Sequence, residues 1–437
     1  MGAGFARTLR PPSLGAVEPP FRYQDGTLAA GGVPLARLAA EHGTPLYVYH
    51  RPTIEARLDA VRRAFRDHPT RVCYSVKANS NLRLLKWLSD QGVGFDVVSA
   101  GEIARTAAVG VPADRVVFAG VGKTRAELAV GVEAGLWMIN VESVDEAKAL
   151  AELAAGRGSR VPISLRLNPD VDAGTHPHIT TGRSVDKFGI SPGEYQELLP
   201  WLADSASLEL VGLHMHIGSQ ITDPEPYRRG IAVLLDCARG ARAAGLAPRW
   251  INAGGGFGIA YDGGEAPGPE AYAAALIPPV REFGGELLLE LGRYLVGPAG
   301  CLLTEVLYRK TRGGRELAIV DAGMTDLLRP ALYEAEHRIV PVREGGAGEA
   351  RPTDVAGPIC ESTDFLGRGR SLPPLAPGDL LAVLDAGAYG MSMASHYNTH
   401  PRAAEVWIDE RGAVETIRRR ETLDDLLAVE RESLSGA

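Results

Sequence analysis

Cysteine is scarce in this sequence, and basic charge is not in excess. Four cysteines, Cys73, Cys237, Cys301 and Cys360, are spread over 437 residues without a CxxC pair. This spacing excludes a disulfide framework and a zinc-finger pattern, and it favours a reducing, cytoplasmic compartment. The 54 acidic residues outnumber the 46 basic ones, which argues against a nucleic-acid-binding protein. No run reaches the roughly 18 apolar residues that a membrane-spanning helix needs, so we expect no membrane partner.

Eight short apolar runs follow one another in the first two thirds of the chain, separated by segments of helical composition. Their nearly continuous apolar character is typical of parallel strands that are buried on both faces. Eight such units predict a (β/α)8 TIM-like barrel. A doubly wound sheet remains the alternative, because periodicity does not report closure. The runs lie at residues 72–77, 94–99, 115–120, 138–143, 162–168, 213–218, 250–254 and 287–292.

The pattern of apolar and turn-forming residues changes after residue 300. Short β-like runs are joined there by loops rich in glycine and proline, which predicts a C-terminal domain that is mainly β. We therefore expect a lead-in over residues 1–45 that packs with the β domain, a barrel over residues 46–298 and a β domain over residues 299–437.

Functional residues of a barrel collect at the C-terminal ends of its strands. Lys77 closes the first run in YSVKAN, where it is either a lysine that reaches solvent or a desolvated amine suited to Schiff-base chemistry. The sixth run ends in HMHIGSQ, and strand geometry would put His214, His216 and Gly218 on one face. The two histidines are either packing residues or a metal pair.

The last two runs end in further polar or flexible groups. The three glycines Gly254, Gly255 and Gly256 can form an anion-binding nest of backbone N–H groups. Glu290 follows at the end of the eighth run, and Arg293 either pairs with it or binds a phosphate. The ordered set of lysine, histidine, glycine nest, carboxylate and arginine is consistent with a site for pyridoxal 5′-phosphate. In such a site Glu290 would favour a protonated ring nitrogen.

Eight motifs occur in the order found in fold-type III pyridoxal-phosphate decarboxylases, a family with an alanine-racemase-like barrel. They are YSVKAN, FDVVSAGEI, HMHIGSQ, GGGFG, ELGR, DAGMTDLLRPALY, GPICEST and DAGAYG. The sequence resembles this family from about residue 45 to residue 410. The resemblance implies bound pyridoxal 5′-phosphate, no metal and a homodimer with shared active sites. It implies decarboxylation of meso-2,6-diaminopimelate to L-lysine, the last step of lysine biosynthesis. Ornithine, arginine or a carrier-bound amino acid is the alternative substrate.

The resemblance also implies roles for individual residues. Lys77 would carry the cofactor, His216 would stack on its ring and Glu290 would meet its nitrogen, while Asp96 and Glu102 support the site. The residues that would hold the phosphate are Ser219, Gly254, Gly255, Gly256, Arg293 and Tyr389.

The substrate contacts implied by the resemblance lie mostly in the second domain. The partner subunit would supply Cys360 as the proton donor and Glu361 for the distal amine. Arg329 and Tyr333 would bind the distal carboxylate, with Arg293 and Tyr389 close to the substrate. Each of two residues also has a structural alternative. Arg329 is consistent with a residue that only stabilises a loop, and Cys360 is consistent with a small buried hydrophobic residue.

Three positions depart from the family pattern. Leu291 replaces the usual proline of ELGR, and Thr325 and Thr363 lie beside the expected substrate pocket. Two other classes stay open: a metal-dependent barrel hydrolase that uses His214 and His216, and a non-catalytic relative. The first gives Lys77 no purpose, and the second would typically have lost Lys77 or Cys360.

Overall fold

The computed structural model describes residues 17–172, 187–344 and 348–434. Residues 1–16 of the predicted lead-in lie outside this part. The segment before the barrel contains β1 (Phe21–Gln24), β2 (Thr27–Ala30), β3 (Val33–Pro34), α1 (Leu35–His42) and β4 (Leu46–His50). No helix of the described ranges is long and apolar enough to cross a membrane.

Eight parallel strands form a closed barrel, because the last of them pairs with the first. The barrel prediction is therefore confirmed, and the doubly wound alternative is wrong. The barrel strands are β5 (Thr70–Ser75), β6 (Gly94–Val97), β7 (Val116–Phe118), β8 (Met138–Val141), β9 (Val161–Arg166), β10 (Leu208–His214), β11 (Trp250–Asn252) and β12 (Glu286–Leu291).

Helices surround the barrel strands and cover their outer faces with apolar side chains. Those described are α2 (Arg51–Phe65), α3 (Leu82–Asp90), α4 (Ala100–Ala108), α5 (Arg125–Glu133), α6 (Val144–Ala155), α7 (Pro192–Ala203), α8 (Glu225–Ala243), α9 (Pro269–Phe283) and α10 (Arg293–Val296).

A second, mixed sheet follows the barrel, with strands in the order β17-β16-β14-β13-β4-β19-β20 and with β18 paired to β13 and β15. The expected C-terminal β structure is thus present. Its elements are β13 (Gly300–Arg312), β14 (Arg315–Val320), α11 (Arg329–Tyr333), β15 (Ile339–Pro341), β16 (Arg351–Ala356), β17 (Phe365–Leu372), β18 (Leu380–Val383), β19 (Ala404–Ile408), β20 (Val414–Arg418) and α12 (Leu423–Leu434).

The strand β4 belongs to this second sheet, although it precedes the barrel in sequence. It pairs antiparallel with β13 and parallel with β19. The predicted barrel boundary at residue 46 therefore differs from the observed arrangement, in which the barrel begins with α2. The lead-in also contacts this domain: the Tyr23 hydroxyl donates to the Pro341 carbonyl at 2.6 Å.

The interior of the barrel is built in two layers along the strands. An apolar layer contains Cys73, Met138, Trp250 and Leu288, all buried and in one cluster. Because side chains alternate along a strand, the residues two positions further on also point inward. These are the buried polar residues Ser75, Asn140, Asn252 and Glu290. The C-terminal end of the barrel is therefore polar inside, above an apolar floor.

Candidate active site

Lys77 lies in a tight turn directly after strand β5. The strand ends at Ser75, and Val76–Ala78 form a single 3₁₀ turn, so the prediction that Lys77 closes the strand is wrong by two residues. The carbonyl of Ala78 accepts a hydrogen bond from the Tyr389 N–H at 2.7 Å, and the Tyr74 hydroxyl donates to the Asn79 carbonyl at 2.9 Å. The turn is therefore held both by the barrel and by the second domain.

The Lys77 amine donates to the carboxylate of Asp96 at 2.9 Å. Asp96 is fully buried, and its second oxygen, Oδ1, has no hydrogen-bond partner among the described residues. Burial acts to lower the pKa of Lys77, but the charge of Asp96, with smaller effects of Tyr389 and Glu290, raises it above its usual range. Burial raises the pKa of Asp96, against the opposing effect of Lys77. The pair is a protonated amine beside a carboxylate.

Glu102 supports the next loop. Ser99 caps α4 by accepting from the Glu102 N–H at 3.2 Å, and the Glu102 carboxyl accepts from the Val98 N–H at 2.8 Å. These two bonds fix the first turn of the helix. Burial raises the pKa of Glu102 to about 7, with a further contribution from Asp96.

Glu290 is the centre of a buried polar cluster. One carboxylate oxygen accepts from the side-chain amides of Asn252 at 2.7 Å and Asn140 at 3.1 Å. The other oxygen lies 3.3 Å from His214 Nε2. Burial acts to raise the pKa of Glu290, but His214, Lys77 and the Asn252 amide outweigh it and lower the pKa well below the usual range. Glu290 is therefore an ionised carboxylate inside the barrel.

The two histidines of the HMHIGSQ motif do not share a strand face. Strand β10 ends at His214, so His216 and Gly218 lie in the following loop. His216 accepts from the Gly255 N–H through Nδ1 at 3.2 Å. Burial, together with the nearby charge of Arg166, lowers its pKa well below the usual value, which makes it a neutral ring. No cluster of three or more metal-ligating side chains forms within the described ranges.

The three glycines after β11 pack too closely against the backbone to carry side chains. A Cβ at Gly255 would overlap the carbonyl oxygen of Glu290, and one at Gly256 would overlap that of Gly218. Gly256 also has a φ of +105°, and Gly254 one of +69°, in the region that favours glycine. The loop Gly254–Gly256 therefore presents backbone without side chains beside Glu290.

Arg293 begins α10 and is buried. Its partner Ser219 follows Gly218, whose carbonyl oxygen lies against Gly256 of the glycine loop. The Arg293 guanidinium donates to Ser219 Oγ at 2.8 Å and to the Tyr261 hydroxyl at 2.5 Å. The Tyr389 ring lies 4.9 Å from the guanidinium carbon. Arg293 forms no ion pair with Glu290, so the alternative that the two residues pair is wrong. A buried cation with neutral partners is suited to bind an anion.

Arg329 is a second buried arginine close to Arg293. It lies over the Tyr261 ring at 4.5 Å. Burial lowers its pKa, and the charge of Arg293 lowers it further, while Tyr261, Tyr389 and Tyr333 oppose this effect. The structure therefore brings Arg329 and Tyr333 to the same side of the barrel mouth as Arg293 and Tyr389.

Cys360 and Glu361 are the predicted site residues that the chain does not bring to this cluster. Both are exposed, in a turn before β17. The Cys360 N–H donates to Asn398 Oδ1 at 3.1 Å, and the Tyr397 hydroxyl donates to the Glu361 carboxylate. The alternative that Cys360 is a buried hydrophobe is wrong.

Comparisons with known proteins identify the family. Residues 51–297 match the family model described as "Pyridoxal-dependent decarboxylase, pyridoxal binding domain". Diaminopimelate decarboxylase of Pseudomonas fluorescens is 46% identical over 94% of this chain and 98% of its own length. The enzyme of Aquifex aeolicus is 43% identical over 93% of this chain and 96% of its own length. A crystal structure of diaminopimelate decarboxylase from Helicobacter pylori complexed with L-lysine superposes with a TM-score of 0.87, at 38% identity over 91% of this chain and 100% of that one.

The chain belongs to the diaminopimelate decarboxylase family. This membership rejects the metal-dependent hydrolase as an alternative. The residues present also fit the pyridoxal cofactor of the family. Lys77 offers an amine beside the unpaired Asp96 oxygen, Glu290 offers an ionised carboxylate for a protonated ring nitrogen, and Arg293 offers a cation at a loop where side chains are excluded.

Several residues of the cluster around Lys77, Glu290 and Arg293 were not predicted from the sequence. Asn140 and Asn252 hold Glu290, Tyr261 lies between Arg293 and Arg329, and His337 contacts Arg329. The signal for the two asparagines was present: each is a polar residue inside an apolar run, two positions after an inward-facing side chain. Tyr261 and His337 lie in loops, where the sequence carries no comparable periodic signal.

Proposed function

We propose that this chain is a pyridoxal 5′-phosphate-dependent decarboxylase that converts meso-2,6-diaminopimelate to L-lysine and carbon dioxide. The observation that carries the proposal is the buried, ionised Glu290, held by three side chains next to the Lys77–Asp96 pair. When bound, the cofactor supplies an electron sink for the pair of electrons left on the substrate's α carbon as carbon dioxide departs. The chain's own residues determine how well that sink works.

Glu290 would hold a proton at the ring nitrogen. A carboxylate that stays ionised next to that nitrogen raises the nitrogen's pKa and so favours the charged, electron-accepting ring. The two asparagine amides and His214 keep the carboxylate ionised and in one orientation. An arginine at this position, as expected of a racemase in the same barrel class, would have the opposite effect.

Lys77 would carry the cofactor, with Asp96 as its buried counter-charge. His216 would pack against the cofactor as a flat, neutral ring, because the Gly255 N–H fixes its orientation. We assign the phosphate to Arg293, Ser219, Tyr389 and the loop Gly254–Gly256. This assignment is supported by the cationic, side-chain-free surface that these residues form. Glu102 would act through the loop that follows Asp96.

Arg329 and Tyr333 would bind the distal carboxylate of the substrate, close to Arg293 and Tyr389. A buried arginine discriminates strongly against substrates that lack the group it is built to bind. Ornithine has no distal carboxylate, so it should be a poor substrate.

Cys360 and Glu361 would reach the substrate from the partner subunit of a homodimer. Their exposure in a single chain supports this arrangement, as do their hydrogen bonds to Asn398 and Tyr397 rather than to the Lys77 cluster. Cys360 would then place a proton on the α carbon and Glu361 would bind the distal amine. The boundary between the barrel and the β domain at residue 298 stays a prediction, as does a cytoplasmic location.

The test is a side-by-side assay of carbon dioxide release from meso-diaminopimelate, ornithine, arginine and lysine. We expect release from meso-diaminopimelate alone, and loss of both this release and the bound cofactor's visible absorbance in Lys77→Ala. A clear preference for ornithine would overturn the role of Arg329. Full turnover by Lys77→Ala would overturn the whole assignment.

A further inference from the structure

Arg329 carries a buried positive charge that the described part of the chain does not neutralise. The residue is 5% exposed. No aspartate or glutamate of the described ranges forms an ion pair with it, and its charged neighbour is another arginine, Arg293. Because an isolated buried charge is costly, an arginine in this state needs a fixed geometry and an anionic ligand.

His337 is the side chain that fixes the orientation of the Arg329 guanidinium. It is 1% exposed, and its Nε2 lies 2.7 Å from Arg329 Nη1. Its other nitrogen, Nδ1, lies 2.8 Å from the Leu384 carbonyl oxygen. The guanidinium can only donate and the carbonyl can only accept. The hydrogen of His337 is therefore on Nδ1, and Nε2 accepts from Arg329.

The state of His337 supports this assignment. Burial and the positive charge of Arg329 lower its pKa to about 3, so the ring is neutral over the whole working range. A neutral acceptor orients the guanidinium without neutralising it. A carboxylate in the same place would compete with the carboxylate of a ligand.

The anchor of His337, Leu384, directly follows strand β18. Strand β15, which starts two residues after His337, pairs with β18, and the Leu384 N–H donates back to the Arg338 carbonyl at 2.9 Å. His337 is thus bonded to the end of β18, and the loop after β18 leads to Tyr389. One histidine therefore ties the arginine to the segment that also braces the Lys77 turn.

We propose that His337 is a positioning residue that sets the affinity for the distal carboxylate by orienting Arg329. This inference rests on the proposed function. Decarboxylation removes one carboxylate of meso-diaminopimelate, so the product L-lysine retains the other, distal one. 1,5-Diaminopentane has the same amines and no carboxylate. The two compounds together isolate the contribution of the distal carboxylate.

The experiment compares holoenzyme variants His337→Asn and His337→Gln. An asparagine amide can replace Nδ1–H toward Leu384 but does not reach Arg329, whereas a glutamine can place an acceptor near the Nε2 position. For His337→Asn we expect KM for meso-diaminopimelate and the calorimetric Kd for L-lysine to rise by about 10-fold, with kcat changed less than about threefold. The Kd for 1,5-diaminopentane should stay within about twofold. His337→Gln should retain most of the lysine affinity.

The control is His68→Asn, which changes a buried histidine that precedes β5 at the opposite end of the barrel. It should change none of these constants. Equal weakening of L-lysine and 1,5-diaminopentane in both His337 variants would overturn the proposal, as would unchanged lysine binding in His337→Asn. The calorimetry needs no turnover, so a wild-type protein that fails to decarboxylate meso-diaminopimelate refutes the proposed function separately.

Discussion

Two carboxylates of the candidate site, Glu290 and Glu361, lie in opposite surroundings. Glu290 is 5% exposed and is held by two amides and a histidine from three other strands. Glu361 is exposed, and its side chain contacts a tyrosine in a neighbouring surface turn. The residues proposed to hold the cofactor therefore lie together within one chain, whereas the Cys360–Glu361 turn is exposed.

The different surroundings of Glu290 and Glu361 indicate which steps of the reaction should depend on a second chain. Residues proposed to hold the cofactor are fixed by bonds within the barrel and from the Tyr389 loop. Cys360 and Glu361, which are proposed to complete the substrate pocket, bond instead to Asn398 and Tyr397. We therefore expect cofactor binding to survive changes in the outward-facing turn, and turnover to be lost.

The largest effect should come from removing the charge in the buried half. In Glu290→Gln the neutral amide no longer favours a protonated ring nitrogen, so we expect kcat to fall by about 10³-fold while the cofactor stays bound. Steady-state kinetics and the absorbance of the bound cofactor measure the two effects. Glu286→Gln is the matched control, because Glu286 begins the same strand at its far end and pairs with Arg249. A loss of less than tenfold in Glu290→Gln would contradict the electron-sink role.

A smaller loss should follow a change in the outward-facing half. Cys360→Ala should lower kcat by about 10²-fold through loss of a proton donor, with the cofactor absorbance unchanged. Mixing this variant with Lys77→Ala, followed by subunit exchange, should restore activity toward about a quarter of the wild-type value, since half of the dimers then carry one intact shared site. A mixture that stays as inactive as its components would show that the site is not shared.

The smallest effect concerns two half-buried carboxylates at neighbouring helix starts, Glu102 and Glu127. Glu102 has its pKa raised to about 7 by burial. Between pH 4.5 and 7 the unfolded carboxyl therefore ionises while the folded one stays protonated, so its contribution to stability is lost as pH rises through this window. Thermal melts of Glu102→Gln should show a growing stability advantage over the wild type from pH 5 to pH 8.

Glu127 provides the control of opposite sign. Bonds from the backbone and side chain of Thr124 and from Ala100 lower its pKa. Its contribution is present above its unfolded pKa and is lost as pH falls. Glu127→Gln should therefore lose stability relative to the wild type as pH rises, and parallel pH profiles for the two variants would refute the opposite signs of the two shifts.

The barrel could be predicted from the sequence because strands that are buried on both faces consist of nearly continuous apolar residues. Strand ends could not be predicted as well. The apolar run of β5 continues through Val76 into the 3₁₀ turn, and Met215 continues the run of β10 beyond its end at His214. Apolar character reports burial, and burial does not distinguish a strand from the loop that packs over it.

The site residues that belong to a local sequence motif could be predicted. The site residues that meet only through tertiary contacts could not. Lys77 and Glu290 stand at the ends of apolar runs, where a charged side chain is conspicuous. His337 contacts Arg329 only because the chain turns back between α11 and β15. Nothing in the local sequence distinguishes such a histidine from one on the surface.

The position of β4 has a consequence for synthesis on the ribosome. Its partners β13 and β19 begin about 250 and 350 residues after it, so the apolar strand LYVYH emerges long before either exists. The barrel can close first, because its eight strands are consecutive in the chain. The nascent protein therefore carries an unpaired strand edge throughout barrel formation, a segment that a chaperone would have to shield from aggregation.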